Sequence, residues 1–107
     1  MKKLLFILML FSSAIFAQIE ATHFNAGWNE VNNVPWFMDL DCKTKGHTDI
    51  AKNPDIAKKY KIAVVPTIII FKDGEEALRF QADLSFKMVA TKEEVIEAID
   101  ELLMSDF

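Results

Sequence analysis

The most informative part of this chain is residues 62–75, which read Ile62-Ala63-Val64-Val65-Pro66-Thr67-Ile68-Ile69-Ile70-Phe71-Lys72-Asp73-Gly74-Glu75. Residues 63–71 are strongly apolar, and the three consecutive isoleucines are all β-branched, so the run predicts a central strand buried on both sides. Asp73-Gly74 between two extended runs indicates a tight hairpin. We therefore expect residues 77–82 to return as the partner strand, with Leu78, Phe80 and Ala82 facing inward.

The residues before this hairpin predict two further strands and two helices. Short strands are expected over residues 19–25 and 46–50. A helix is expected over residues 29–40, although its Pro35 suits only the first turn of a helix and would kink one that began earlier. Asn53-Pro54-Asp55 predicts the start of a short second helix, because it supplies a cap, a first-turn proline and an acid at the positive end of the helix dipole.

The last helix is predicted by a capping box, Thr91-Lys92-Glu93-Glu94. Its expected apolar face consists of Val95, Ile96, Ile99, Leu102 and Leu103. The element order is therefore β-α-β-α-β-β-α, an α/β class. The first two strands should be parallel through a right-handed crossover, and the last two antiparallel. A four-stranded mixed sheet with helices on both faces is the expected packing.

Length and charge restrict the function. The chain has 107 residues, which suits one domain, and carries 12 basic and 16 acidic side chains for a net charge of −4. Without the two lysines of the N-terminal segment described next, the net charge becomes −6. An acidic surface repels phosphate backbones, so nucleic acid is not an expected partner. A single cysteine excludes an internal disulfide framework.

Residues 1–17 have the pattern of a secretory signal peptide. Met1-Lys2-Lys3 is basic, residues 4–11 are continuously apolar, and small residues lead to Ala17. We expect cleavage after Ala17, with Ala14 as an alternative site, and a domain over residues 18–107. The expectation is an exported bacterial protein, periplasmic or secreted, with no membrane span after cleavage. An uncleaved N-terminal anchor is the alternative.

The segment around Pro66 resembles the cis-proline segment of the thioredoxin family, in which an apolar-x-x-Pro-Thr stretch is followed by Phe-Lys-x-Gly-Glu. Two further stretches agree: residues 49–54 resemble the preceding strand-to-helix step, and Phe24-Asn25-Ala26-Gly27-Trp28 resembles the strand end and tryptophan before the family's redox motif. The resemblance covers nearly all of residues 18–107. It implies a minimal thioredoxin-like fold, without the family's first strand and helix, and a cis peptide bond at Pro66.

The resemblance fails at the redox motif itself. Where the family has Cys-x-x-Cys, this chain has Asn29-Glu30-Val31-Asn32. Thiol–disulfide exchange needs one thiolate to attack and a second thiol to resolve the mixed disulfide. Asparagine can cap a helix, but it is not a comparable nucleophile. The sequence therefore excludes dithiol oxidoreductase activity at this position, and no cofactor is expected.

Two histidines occupy positions where the family often has a buried carboxylate and a lysine. His23 corresponds to the carboxylate and His47 to the lysine, so we expect them on adjacent strands and on the same face. A metal pair, a proton-handling pair and ordinary hydrogen-bonded core histidines are the three interpretations. Zinc needs at least three protein ligands, and Cys42 is the only soft donor expected nearby. The third interpretation is favoured, and no metal site is expected.

The resemblance implies a groove in which the backbone before the cis-proline pairs with an extended peptide. Its residues in this chain are Trp28, Asn29, Asn32, Val65, Pro66 and Thr67. The leading hypothesis is a non-catalytic module that binds a peptide or a partner protein, since strand-like backbone pairing needs no thiol. The alternative without a ligand is that Trp28 and Pro66 are inherited scaffold.

Two other functions remain open. The first is a thiol-redox accessory protein that acts in cell redox homeostasis through mixed disulfides of Cys42. Lys43 and Lys45 would favour its thiolate, whereas Asp39 and Asp41 would oppose it. The second is a small structural domain that stabilises an envelope assembly through its acidic last helix.

Overall fold

The computed structural model describes residues 18–105, so the predicted signal segment lies outside the described residues. These residues form one four-stranded sheet in the order β2-β1-β3-β4. The strands are β1 (Ile19–Asn25), β2 (Thr44–Asp49), β3 (Thr67–Lys72) and β4 (Glu75–Gln81). None of the helices within residues 18–105 has the length and apolar content needed to cross a membrane.

The sheet is mixed, as the sequence predicts. β1 runs parallel to β2 and antiparallel to β3, and β3 and β4 form an antiparallel hairpin. Asp73 and Gly74 connect the hairpin with positive φ angles of 53° and 86°. Both central residues of the favoured two-residue turn need a positive φ, which explains why Asp-Gly occupies this turn.

Helices cover both faces of the sheet. On one face, α2 (Lys92–Met104) packs Val95 and Ile99 against the alternate residues of β1 and β3. On the other face, Tyr60 follows α1 (Pro54–Lys59), and its ring lies 5.8 Å from that of Phe24 and 5.5 Å from that of Phe71. Residues 68–70 of β3 are fully buried, which confirms a central strand covered on both sides.

The capping box of α2 is formed. Thr91 Oγ1 accepts a hydrogen bond from Glu94 N at 3.1 Å, and Glu94 Oε1 accepts one from Thr91 N at 3.3 Å. Of the predicted apolar face, Val95 and Ile99 are buried and Leu102 and Leu103 are half-buried. Ile96 is exposed, so its placement in the core was wrong: it lies at the margin of the stripe, beyond the reach of the sheet.

The helix predicted over residues 29–40 is wrong. The chain forms two 3₁₀ turns instead, over Gly27–Asn32 and Phe37–Asp39. Asn33 leaves helical geometry with φ −53° and ψ 140°, and Val34 is disfavoured in a helix because it precedes Pro35. The proline therefore separates two short turns where the pattern predicted one helix.

Smaller differences concern the ends of the other elements. β2 begins at Thr44, two residues earlier than predicted, and β3 begins only at Thr67, after the proline. β4 begins at Glu75 because the two-residue turn places Glu75 directly opposite Lys72, so strand pairing resumes there. α1 begins at Pro54 as predicted, but the side chain of Asn53 does not cap it: Asn53 Nδ2 donates to Asp49 O at 2.9 Å.

Candidate functional site

The site predicted from the sequence lies where β1 ends and β3 begins. The antiparallel register brings Phe24 opposite Thr67. The Val65–Pro66 peptide bond just before Thr67 is cis. Val65, Pro66 and Thr67 are all buried, and Thr67 Oγ1 donates a hydrogen bond to Val64 O at 2.7 Å. Ala82 N donates to Pro66 O at 3.0 Å, so the residue that follows β4 holds this loop from its other side.

Asn29 is the centre of a network of asparagine amides at the end of β1. Its side chain is only 4% exposed. Asn29 Nδ2 donates to Asn25 Oδ1 at 3.0 Å, and Asn25 Nδ2 donates in return to Asn29 O at 3.1 Å. Asn32 Nδ2 donates to Asn29 Oδ1 at 2.7 Å, and Asn33 Oδ1 accepts from Asn25 Nδ2 at 2.6 Å. These bonds satisfy the buried amides, as burial of polar groups requires.

Asn29 also links two distant loops. Its Nδ2 lies 3.2 Å from Phe86 O and 3.5 Å from Val65 O. The amide therefore stands between the proline loop and the loop that follows β4. The side chain offers nothing to a ligand, and its effect on the site is to hold the two loops in place.

An aromatic wall borders the same site. The Trp28 side chain is 67% exposed, and its ring meets the half-exposed ring of Phe86 edge-on at a centroid distance of 5.2 Å. This T-shaped arrangement is one that aromatic pairs prefer. Trp28 was predicted from the sequence, whereas Phe86 was not, because the residues around it have no strand or helix periodicity.

The loop that carries Phe86 is closed by local hydrogen bonds. Asp83 Oδ1 accepts from Ser85 N at 2.8 Å and from Ser85 Oγ at 2.6 Å, and Asp83 N donates to Lys87 O at 2.9 Å. The bonds from Ser85 and from the Lys87 backbone hold the pKa of Asp83 below its usual value. Phe86 adopts φ +65°, an uncommon angle for a residue that is not glycine. The loop thus presents Phe86 to Trp28 in one defined conformation.

The two histidines lie opposite each other on β1 and β2, as predicted, with ring centroids 4.8 Å apart. His23 is fully buried, and its Nε2 accepts a hydrogen bond from Val34 N at 3.1 Å. Burial, assisted by the neighbouring His47, lowers the pKa of His23 from 6.5 to about 4. His23 is therefore a neutral core histidine. His47 is exposed, so describing it as a core residue was wrong.

A cavity of about 390 Å³ opens beside the histidines. Its lining includes His23, Asn25, Glu30, Asn33, His47 and Asp49. Within residues 18–105, no group of three or more histidine, cysteine, aspartate or glutamate side chains has an arrangement that could hold a metal ion. Because His23 Nε2 already accepts a backbone hydrogen bond, this nitrogen is not available as a ligand.

Cys42 lies apart from the asparagine network, just before β2, and packs against the edge of the core. Burial raises the pKa of its thiol, and Asp41 acts in the same direction, while Lys45 opposes both. The ammonium of Lys45 is held by Met38 O and Leu40 O, each at 2.8 Å. A raised pKa leaves little thiolate at neutral pH, and the thiolate is the reactive form.

Sequence comparisons find thioredoxins. A thioredoxin of Staphylococcus aureus is 32% identical over 72 residues, which cover 61% of this chain and 69% of that protein. Thioredoxin Y1, chloroplastic, of Arabidopsis thaliana is 51% identical over 41 residues, 38% of this chain and 24% of that protein. The match thus spans only about a quarter of the Arabidopsis protein. No family model matches the chain.

Solved structures of similar fold include two thioredoxins, each 19% identical to this chain. A mutant thioredoxin from Halobacterium salinarum superposes with a TM-score of 0.56 over 82% of this chain and 74% of that one. The reduced thioredoxin pre-protein of Schistosoma mansoni gives 0.56 over 94% and 90%. These likenesses show the thioredoxin-like fold, and the single cysteine fits the loss of the Cys-x-x-Cys motif. By sequence and by fold, this chain belongs to the thioredoxin family.

Proposed function

We propose that this chain is an exported thioredoxin-family module that binds an extended peptide, or an extended segment of a partner protein, without redox chemistry. The groove consists of Trp28 and Phe86 as its aromatic wall and of Val65, Pro66 and Thr67 as its floor. Asn29 and Asn32 shape the groove from beneath. Nothing in this assignment needs a cofactor.

The chemistry of the first 3₁₀ turn supports a role without catalysis. Asn32 Nδ2 touches Asn29 Oδ1 at 2.7 Å, so the two side chains meet where the family's two thiols would stand. Neither amide can lose a proton at neutral pH to become a nucleophile comparable to a thiolate. Asn29 and Asn32 occupy the positions of the family's two cysteines, and their side chains form a hydrogen bond with each other instead of carrying reactive sulfurs.

The observation that carries the peptide-binding proposal is the backbone of Val65. Its N–H makes no hydrogen bond to any residue within 18–105, although Val65 is buried. Its C=O receives only the 3.5 Å bond from Asn29. An extended peptide that adds to this segment would supply partners for both backbone groups. Trp28, the residue before Asn29, is mostly open to solvent.

A selection experiment tests this function. Peptides from a random library that contains no cysteine are selected on the wild-type chain. We expect the selected peptides to bind the Trp28→Ala variant at least about tenfold more weakly, a loss of about 1.4 kcal/mol. Met104→Ala is the matched control, because Met104 is as exposed as Trp28 but lies at the other end of the sheet, where Leu102 O accepts from Lys72 Nζ. Equal binding to wild type and Trp28→Ala would contradict the proposal.

An insulin-reduction assay separates this function from redox chemistry at Cys42. The raised pKa of Cys42 argues against a reactive thiol. We expect wild type and Cys42→Ser to reduce insulin no faster than the added reductant alone. If wild type reduces insulin faster and Cys42→Ser does not, the result would contradict the binding module and favour a redox accessory protein.

Export is part of the proposal and rests on the pattern of residues 1–17. Its test is the N-terminal sequence of the chain recovered from a bacterial periplasm or medium. A new terminus at Gln18 or Ile15 is the expected result, and an intact Met1 on a cytoplasmic protein would contradict it.

A further inference from the structure

The sheet has two edges, and they differ in how they are protected. β2 pairs only with β1, and among residues 18–105 no strand lies on its other side. A strand at an edge directs the N–H and C=O groups of alternate residues away from its one neighbour. Such an edge can pair with another strand, and proteins usually block it with charges, proline or a bulge.

The opposite edge, β4, has these protections. Its ladder with β3 shifts register between Ile70 and Phe71, and it carries Glu75, Glu76 and Arg79. Arg79 is fixed by Glu76 Oε1 at 2.7 Å and by Tyr60 O at 2.6 Å. Charged side chains held in fixed positions and an irregular ladder make β4 a poor template for a further strand.

β2 is less protected, because its ladder is regular and its charged side chains are only Lys45 and the terminal Asp49. It also contains no proline. Gly46 is at its middle, and a Cβ atom placed there would meet no other atom within 4 Å. The one lysine inside the strand, Lys45, bends back to Met38 O and Leu40 O, so its charge does not stand across the edge.

We propose that a second copy of this chain occupies the β2 edge as an antiparallel strand, with the twofold axis beside Gly46. This register is self-complementary. It places Thr44 opposite Thr48 of the second copy, and Lys45 opposite its His47. It also places Lys43 opposite Asp49 of the second copy, twice in the dimer by symmetry. Threonine pairs and opposite charges directly across a pair of strands are stabilising.

The two groups that form this ion pair are available. Lys43 is exposed, and its side chain makes no hydrogen bond or ion pair to any residue within 18–105. Asp49 Oδ1 accepts from Ala51 N at 2.9 Å and from Lys52 N at 3.4 Å, while Oδ2 lies near Gly27 and accepts no hydrogen bond within residues 18–105, so a turn of the side chain brings it to a partner. The two neighbouring registers lose this pair. One sets Lys45 against Lys45 of the second copy, and the other sets Lys43 against Ala51.

The dimer leaves the groove free. β3, Val65 and the Phe86 loop lie on the far side of β1 from the β2 edge. The assembly therefore joins two sheets into one eight-stranded sheet that carries two grooves. A contact through a single pair of short strands is small, so the association is weak and concentration-dependent. This inference does not depend on what binds in the groove.

Disulfide trapping tests the register. The background is the chain as expressing cells process it, with Cys42→Ser to remove the native thiol. We expect Gly46→Cys to form a covalent dimer under mild oxidation, because residues directly opposite have Cα atoms about 4.5–5.5 Å apart, within the range for a disulfide. Thr48→Cys is the matched control: the two copies of residue 48 are about 13 Å apart in this register, so it should remain monomeric. Equal trapping of both variants overturns the register.

Sedimentation velocity tests the dimer itself without any cysteine. We expect a monomer–dimer equilibrium in wild type. Lys43→Glu should weaken this dimerisation at least about tenfold, because it sets a negative charge against Asp49 of the second copy at both symmetry-related positions. Lys52→Glu is the control, since it makes the same charge change outside the strand and should leave the equilibrium unchanged. A wild-type chain that stays monomeric at all concentrations overturns the proposal. That result is also the one expected if residues 1–17 or another partner cover this edge.

Discussion

The two halves of β1 present the same face to the interior, yet different forces hold them. Near its start, Ile19 and Ala21 lie in an apolar cluster with Ile68, Ile70 and the buried residues of α2. Near its end, His23 and Asn25 are equally buried but are bound through hydrogen bonds to Val34, Asn29 and Asn33. Apolar burial has no direction, whereas a hydrogen bond constrains distance and angle.

The apolar half of β1 therefore acts mainly on the stability of the fold, and the polar half acts mainly on the position of the adjoining loops. The apolar half contributes more to stability for each large side chain, because burial of a large aliphatic side chain is worth about 1.5–3 kcal/mol. The polar half supplies less net free energy for each bond, about 1 kcal/mol, but fixes where the loops of Val65 and Phe86 lie. The loops of Val65 and Phe86 therefore meet at the part of the strand where geometry is most closely specified.

The largest expected effect concerns the apolar half. Ile70→Ala removes a fully buried side chain opposite Ala21 on the central strand and should lower the free energy of unfolding by about 2–5 kcal/mol. Val31→Ala is the control, because Val31 is almost fully exposed and its truncation should change stability by less than about 0.5 kcal/mol. Urea unfolding measures both. A similar loss of unfolding free energy in the two variants would contradict the view that the apolar core supplies this stability.

The next effect concerns His23 and pH. Its pKa is about 4 in the folded chain against 6.5 unfolded, so the unfolded state binds the proton first as the pH falls. The stability from neutral His23 is therefore complete above pH 6.5 and is lost towards pH 4, by about 2 kcal/mol at pH 5.

Urea unfolding at pH 7 and pH 5 measures this loss. We compare wild type with His23→Asn, in which this loss should disappear, and with His47→Asn, in which most of it should remain. Carboxylates titrate in all three proteins, so only the difference between variants is informative. An equal dependence on pH in wild type and His23→Asn would show that His23 is not held neutral by its burial.

The smallest of the three effects concerns Asn29. Asn29→Ala leaves Asn25 Oδ1 and Phe86 O without their donor and should cost on the order of 1–2 kcal/mol. Asn32→Ala removes a half-buried side chain with one described bond and should cost less. Hydrogen exchange sharpens the comparison: the amides of residues 83–88 should exchange faster in Asn29→Ala but not in Ile99→Ala. If both variants affect this loop equally, the amide network does not position it.

Much of the fold follows from short-range patterns. The Asp73-Gly74 turn, the Thr91 capping box and the isoleucines of β3 each act through residues a few positions apart, and each is present as predicted. Trp28, Val65 and Pro66 were predicted as site residues only through the resemblance to thioredoxins. The helix over residues 29–40 was wrong because helical periodicity continues across Pro35, while the backbone geometry does not.

The amino-acid sequence alone determines the order of strands and helices, the hairpin and the absence of a second thiol, because these depend on neighbouring residues or on composition. Only the tertiary structure decides what Asn29 does, since its bonds to Val65 and Phe86 join residues 36 and 57 positions away along the chain. The same is true of the pairing of Phe86 with Trp28 and of the open β2 edge. Contacts between distant residues form only when the sheet brings them together, and no local pattern encodes them.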